Sequence, residues 1–214
     1  LDSDEDTVRR WTAEILGEIG DDAARDALIE ALQDDNGRVV RYAAVSLGKI
    51  GKPSVVPYLV DLLDSDKKDI RCAAAEGLAN VGTYHVVDHL ADTLHNDDDW
   101  VTRMTAARGL GDVASRTCVD PLIEALDDPE WSVRKHAAES LGQVGIKKDA
   151  AEALIDACDD EQASVRAAAV EALGKLKDEQ AVDKIAELRS DPEEKVQEAA
   201  EEALASLAET APAG

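Results

Sequence analysis

Two kinds of apolar stripe alternate along the chain, and both return at a fixed interval. Leu-Gly or Leu-Ala pairs set a leucine at Leu16, Leu47, Leu78, Leu110, Leu141, Leu173 and Leu204, a step of 31 or 32 residues each time. One helical turn before each lies Thr12, Ala43, Ala74, Ala106, Ala137, Ala169 or Ala200, on the same face as the leucine. A second stripe follows each first one, centred on Leu28, Leu59, Leu90, Leu122, Leu154 and Ile185. Turn signals separate the two stripes: Gly20-Asp21, Gly51-Lys52-Pro53, Gly82-Thr83 and Gly145. Each period therefore reads as helix, short turn, helix and acidic loop, which predicts about thirteen helices. Neither helix of a pair can bury its apolar face alone, so the pairs must stack on one another.

The expected fold is all-α, a right-handed α-solenoid of about seven helix-pair repeats forming a single domain over 1–214. The repeats run near 3–33, 34–64, 65–95, 96–127, 128–159, 160–190 and 191–210. The last is a C-terminal cap whose Glu193, Glu194, Glu198, Glu201 and Glu202 suit a polar end, with 211–214 as a tail. Composition sharpens this picture. Aromatics make up 3% of the chain and Phe is absent, so the core must be Ala, Leu, Val and Ile, which suits close-packed helices. Trp11 falls within the first helix and is expected in the core or beneath an upstream element.

The pattern "SVRKHAAESLGQVG", Ser132 to Gly145, followed by "AAEALIDACDD", resembles the HEAT-like repeats of the phycobilisome-lyase type, over nearly the whole chain. That resemblance implies a superhelical stack whose second helices line its concave side. It does not imply one activity, because the fold hosts lyases, hydroxylases, DNA glycosylases and scaffolds.

Charge narrows the partners. A formal net charge of −24 repels phosphate backbones and anionic membrane surfaces, so nucleic acid and membrane are not expected partners. A basic partner or a surface adapted to high salt, as in a halophile, would each suit such a balance. Cys72, Cys118 and Cys158 form no CxxC pair and read as reduced thiols of a cytoplasmic protein. The N-terminal "LDSDEDTVRR" is acidic, unlike a signal peptide, and it begins with Leu1, so upstream sequence can be missing.

Five first helices carry an arginine seven residues before the leucine: Arg9, Arg71, Arg103, Arg134 and Arg166. The second repeat shifts its arginine by one, to Arg41, and the seventh has Gln197. An aspartate stands six residues before Arg41, Arg103, Arg134 and Arg166, at Asp35, Asp97, Asp128 and Asp160; before Arg9 and Arg71 that place holds Ser3 and Ser65. A structural ladder of caps and ion pairs is expected there.

His136 stands at an ordinary helix position. HEAT-like deoxyhypusine hydroxylases carry His-Glu dipeptides that bind a di-iron centre, as the resemblance implies; no His-Glu pair occurs in this chain, so that activity is not expected. His85 and His89 share a helix face beside Asp88 and Asp92, a spacing that could hold a divalent ion if a further ligand converged. Without one, no metal, cofactor or catalytic residue is expected. Trp100 and Trp131, each three residues before an arginine, would either anchor a partner or cover the joint between repeats.

One constellation recurs. Two residues after each second-stripe centre stand Glu30, Asp61, Asp92, Glu124, Asp156 and Glu187. Two residues before it stand Asp26, Pro57, Asp88, Asp120, Glu152 and Asp183. Both positions lie about 160° from the buried centre on a helical wheel, so both face solvent. The expected function is a non-enzymatic interaction scaffold. Its partner-binding surface would comprise Glu30, Asp61, Asp88, Asp92, Asp120, Glu124, Glu152, Asp156, Asp183 and Glu187, with Trp100 and Trp131 as secondary contacts, and its partner would be a basic protein or peptide. The alternative is a bilin lyase or a chromophore-handling lyase-like subunit, from the resemblance alone.

Overall fold

A computed structural model describes residues 1–208, with the backbone alone at 147–149. The predicted tail 211–214 and the end of the predicted cap lie outside the described residues. Those residues form thirteen α-helices and no β-strand. The first helices of the pairs are α1 (Asp6–Ile19), α3 (Gly37–Ile50), α5 (Lys68–Val81), α7 (Trp100–Val113), α9 (Trp131–Val144), α11 (Ala163–Leu176) and α13 (Glu194–Ala208). The second helices are α2 (Asp22–Ala31), α4 (Val56–Asp61), α6 (Val87–Asn96), α8 (Val119–Glu124), α10 (Lys147–Ala157) and α12 (Val182–Glu187). Three second helices are only six residues long and are extended at both ends by 3-10 turns, such as Pro53–Val55 and Leu62–Asp64 around α4. The chain divides into two compact units, Leu1–Gly109 and Leu110–Gly214.

Within the first unit α1 packs on α3 and α3 on α5; within the second, α9 packs on α11 and α11 on α13. The leucines that set the period fill the seams. Leu28, Leu47, Leu59, Leu78 and Leu90 are fully buried in the first unit, as are Leu110, Leu122, Leu141, Leu154 and Leu173 in the second. Each contributes about 1.5–3 kcal/mol relative to an exposed side chain.

The residue after the leucine sets the distance between first helices. A Cβ at Gly17 would lie 2.6 Å from the Ser46 Cβ, one at Gly142 would lie 2.9 Å from Ala172, and one at Gly174 would lie 2.9 Å from Ala203. At Gly48 it would collide with the Gly77 backbone. The partner position, one residue before the next leucine, is correspondingly small: Ser46, Gly77, Gly109, Ser140, Ala172 and Ala203.

Helices α1, α3, α5 and α9 end on a left-handed residue at Gly20, Gly51, Gly82 and Gly145. Ala114 after α7 and Lys177 after α11 adopt the same conformation without glycine, with φ 51° and 54°. Trp11 lies outside the core of the described residues: it is 55% exposed, in a strip with Val8, Ile15 and Ile19 on α1. The spacing of 3, 4 and 4 residues puts these four on one side of the helix, and α3 packs against another. The Arg10 guanidinium lies 5.9 Å from the Trp11 ring and 5.2 Å from that of Tyr42.

Candidate functional site

The arginine ladder forms, with a different pairing. Arg134 on α9 donates from Nε and Nη2 to the two carboxylate oxygens of Asp160, at 2.7 and 3.0 Å. The aspartate thus belongs to the following joint, and not to the loop six residues before the arginine. That earlier residue gives its backbone instead: Arg134 Nη1 donates to the Asp128 carbonyl at 2.9 Å. Asp160 also accepts the Gln162 N–H at 2.7 Å, and its own carbonyl accepts Arg166 Nη1 at 2.9 Å. One aspartate therefore caps its loop and links two repeats. The same fork joins Arg9 to Asp34, Arg71 to Asp97 and Arg166 to Asp191. On α13, Gln197 keeps only the carbonyl bond, to Asp191 at 2.6 Å.

The second repeat corrects the predicted register. The ladder position is the fourth residue of each first helix, and α3 begins at Gly37, so Val40 fills it and is 5% exposed. Arg41 points to solvent, and Asp34, not Asp35, is the aspartate that pairs. Where Val40 can accept no partner, the matching loop position holds Ser65, which still accepts the Lys67 N–H at 3.3 Å and gives its carbonyl to Arg71.

The guanidinium and N–H bonds hold Asp34 and Asp191 below the usual carboxylate range. Burial would push Asp97 and Asp160 upward, but the same bonds outweigh it and leave both lowered.

The ten acids of the second helices are all exposed: Glu30 on α2, Asp61 on α4, Asp88 and Asp92 on α6, Asp120 and Glu124 on α8, Glu152 and Asp156 on α10, Asp183 and Glu187 on α12. Asp92 accepts from Asn96 at 2.7 Å, and Glu187 lies 3.9 Å from the Lys184 ammonium. Each unit also holds a cavity between successive second helices. In the first, about 660 Å³ is lined by Val60, Leu63, Asp64, His89 and Asp92, among others. In the second, about 380 Å³ is lined by Ile123, Leu126, Asp127, Ala153 and Asp156, among others.

His85 is exposed and stacks on Tyr84, with ring centroids 3.9 Å apart, while the half-buried His89 lines the first cavity. Among the described residues no group of three or more His, Cys, Asp or Glu side chains is placed to hold a metal ion. His136 donates from Nδ1 to the Ser132 carbonyl at 2.7 Å, a bond within its own helix. Trp100 and Trp131 open α7 and α9 and are 43% and 42% exposed. All three cysteines are free, and burial pushes the Cys158 thiol up to about 12, which leaves it unreactive. Among the described residues no helix is long and apolar enough to cross a membrane.

The family model for HEAT repeats matches residues 1–79, 87–163 and 119–205. The chain belongs to the HEAT-repeat family. Comparison with curated proteins gives no match. Among solved structures, this HEAT-repeat protein is similar to the complex of CpcE and CpcF of phycocyanin lyase from Nostoc sp. PCC7120, with 24% identity over 98% of this chain and 84% of the other, and a TM-score of 0.58. Human deoxyhypusine hydroxylase, in complex with glycerol, is 21% identical over 97% of this chain and 82% of its own, with a TM-score of 0.52. A designed armadillo repeat protein in complex with the peptide (KR)4 is 19% identical over 84% of this chain and 98% of its own, with a TM-score of 0.59. At these identities the likeness is one of fold: an α-solenoid, an architecture suited to protein interaction.

Proposed function

We propose that this HEAT-repeat protein is a non-enzymatic scaffold that binds a basic, extended protein segment on the exposed face of its second helices. The observation that carries the reading is the recurrence of exposed acids at the same two helical positions, from Glu30 to Glu187. Each repeat adds one similar contact, so a segment crossing several repeats gathers several weak attractions. The acidic field steers a basic partner, which makes association fast at low salt and slower as salt rises. The designed armadillo protein named above shows a related architecture with a (KR)4 peptide. The lyase reading rests on fold likeness, and copurification of a coloured tetrapyrrole would favour it.

The test is charge reversal at matched sites. Asp92→Lys with Glu124→Lys should weaken binding of the partner isolated by affinity capture at least tenfold. Glu139→Lys with Glu171→Lys, on first helices, should weaken it less than threefold. Equal losses would mean that net charge alone matters, and the acids would then be a salt-adapted surface.

A further inference from the structure

The cavities between second helices obey the same register as the acids. Counting from each buried centre, Val60 and Leu63 are one and four residues after Leu59, and Asp64 is five after; Asp92 is two after Leu90. In the second unit Ile123, Leu126 and Asp127 stand at the same offsets from Leu122, and Asp156 two after Leu154. Each cavity thus combines two apolar residues from one helix with a carboxylate from each of two successive helices.

In the α10–α12 joint the same offsets are held by Ile155, the fully buried Cys158 and Asp159 after Leu154, and by Glu187 after Ile185; Asp159 also lines the second cavity. There the residue before the centre is Lys184, in the place of His89 or Ala153. Its ammonium sits 2.6 and 2.7 Å from the two carboxylate oxygens of Asp159 and 3.9 Å from Glu187. The lysine side chain is 21% exposed, so most of its stem is covered while its head meets both acids. From that position the chain supplies a lysine to the α10–α12 joint, Ala153 to the second cavity and His89 to the first, whose lining also includes Arg71, already held by Asp97.

Resting on the acidic-face reading, we infer that the α4–α6 and α8–α10 cavities are sockets for lysine or arginine side chains of the partner, each taking the position that Lys184 takes at the α10–α12 joint. The aliphatic stem would lie on Val60 and Leu63, or on Ile123 and Leu126. The cationic head would sit between Asp64 and Asp92, or between Asp127 and Asp156. An acidic side chain would add to the negative charge that already lines each cavity.

The experiment uses the full chain with fluorescein-labelled tetralysine and tetraarginine peptides, followed by anisotropy at low salt. Ala153→Lys places a lysine in the second socket and should weaken binding about fivefold, the worth of one partly exposed ion pair. Ala23→Lys makes the same charge change at an exposed position on α2 and should cost less than twofold. Conversely, Lys184→Ala frees the Asp159 carboxylate and should tighten binding, while Lys195→Ala should do so less. Methyl NMR provides a direct readout: Ile123 and Leu126 should shift on adding tetralysine, and not in the Ala153→Lys protein. If binding persists but those methyls stay still, or Ala153→Lys and Ala23→Lys weaken it equally, the sockets are refuted while the acidic face stands. Failure of both peptides to bind the unmodified chain would overturn both.

Discussion

The joint between α9 and α11 and the joint between α3 and α5 solve one packing problem differently. The first is spanned by Arg134 and Asp160, both about one-tenth exposed, in a two-bond fork. The second has no such fork: Val40 is packed where the arginine would stand, and Ser65 keeps the loop bonds without a carboxylate. It has instead a close backbone approach, with Gly48 against Gly77. Losing both members of an ion pair together is tolerable, because no charge is left buried and unpaired. The fork is therefore expected to fix the register between neighbours more than it supplies stability, which the variants below test. Apolar burial and backbone contact hold the α3–α5 joint without it.

The largest effect should come from breaking a fork on one side. Asp160→Ala takes away the carboxylate that Arg134 forks to, leaving the exposed Glu161 at 3.6 Å, and also removes the acceptor for the Gln162 N–H. It should cost about 3 kcal/mol, or roughly 6–12 °C in melting temperature. Arg134→Val with Asp160→Ser copies the α3–α5 solution and should recover more than half of that loss. A double variant no better than Asp160→Ala, by thermal melting, would show that the fork itself is indispensable.

Acid should expose the same difference. Asp34, Asp97, Asp160 and Asp191 are held below the usual carboxylate range when folded. Their contribution is fully present above the unfolded value near 3.9 and disappears as pH falls through the lowered folded values. The urea midpoint should therefore drop as pH falls below about 4. Arg134→Val with Asp160→Ser should flatten that drop, having one linked carboxylate fewer. An unchanged slope would assign the acid sensitivity to other groups.

The helix pairs are legible because a leucine every 31 or 32 residues, with glycine or alanine behind it, has few structural meanings. The fork is harder to read. Its aspartate lies 25 or 26 residues after its arginine, so sequence proximity points instead to the neighbour six residues before. Arg41 draws attention by its charge, although counting back seven residues from Leu47 lands on Val40. The sequence leaves Trp11 either in the core or beneath an upstream element, and only the structure shows it exposed beside Val8, Ile15 and Ile19. Helical phase alone places the ten acids on the solvent side. It does not reveal the cavities beside them, since their shape depends on how successive short second helices pack, and only the geometry pairs Lys184 with Asp159.

The smallest expected effect comes from the reverse graft. Val40→Arg with Ser65→Asp installs a fork at the joint that lacks one. It gains a two-bond ion pair but removes a buried valine and desolvates two charges, terms of similar size and opposite sign. The double variant should melt within about 3 °C of the unmodified chain, a difference under ~1 kcal/mol. Either substitution alone should do worse. Val40→Arg by itself would bury a guanidinium without a carboxylate, and Ser65→Asp by itself would set a carboxylate against Val40 without a guanidinium. A double-mutant cycle measured by thermal melting isolates the coupling. Strong coupling with near-zero net change would mean that the fork sets pairing between neighbours; a net gain of several kcal/mol would mean that the α3–α5 joint lacks stability that the others have.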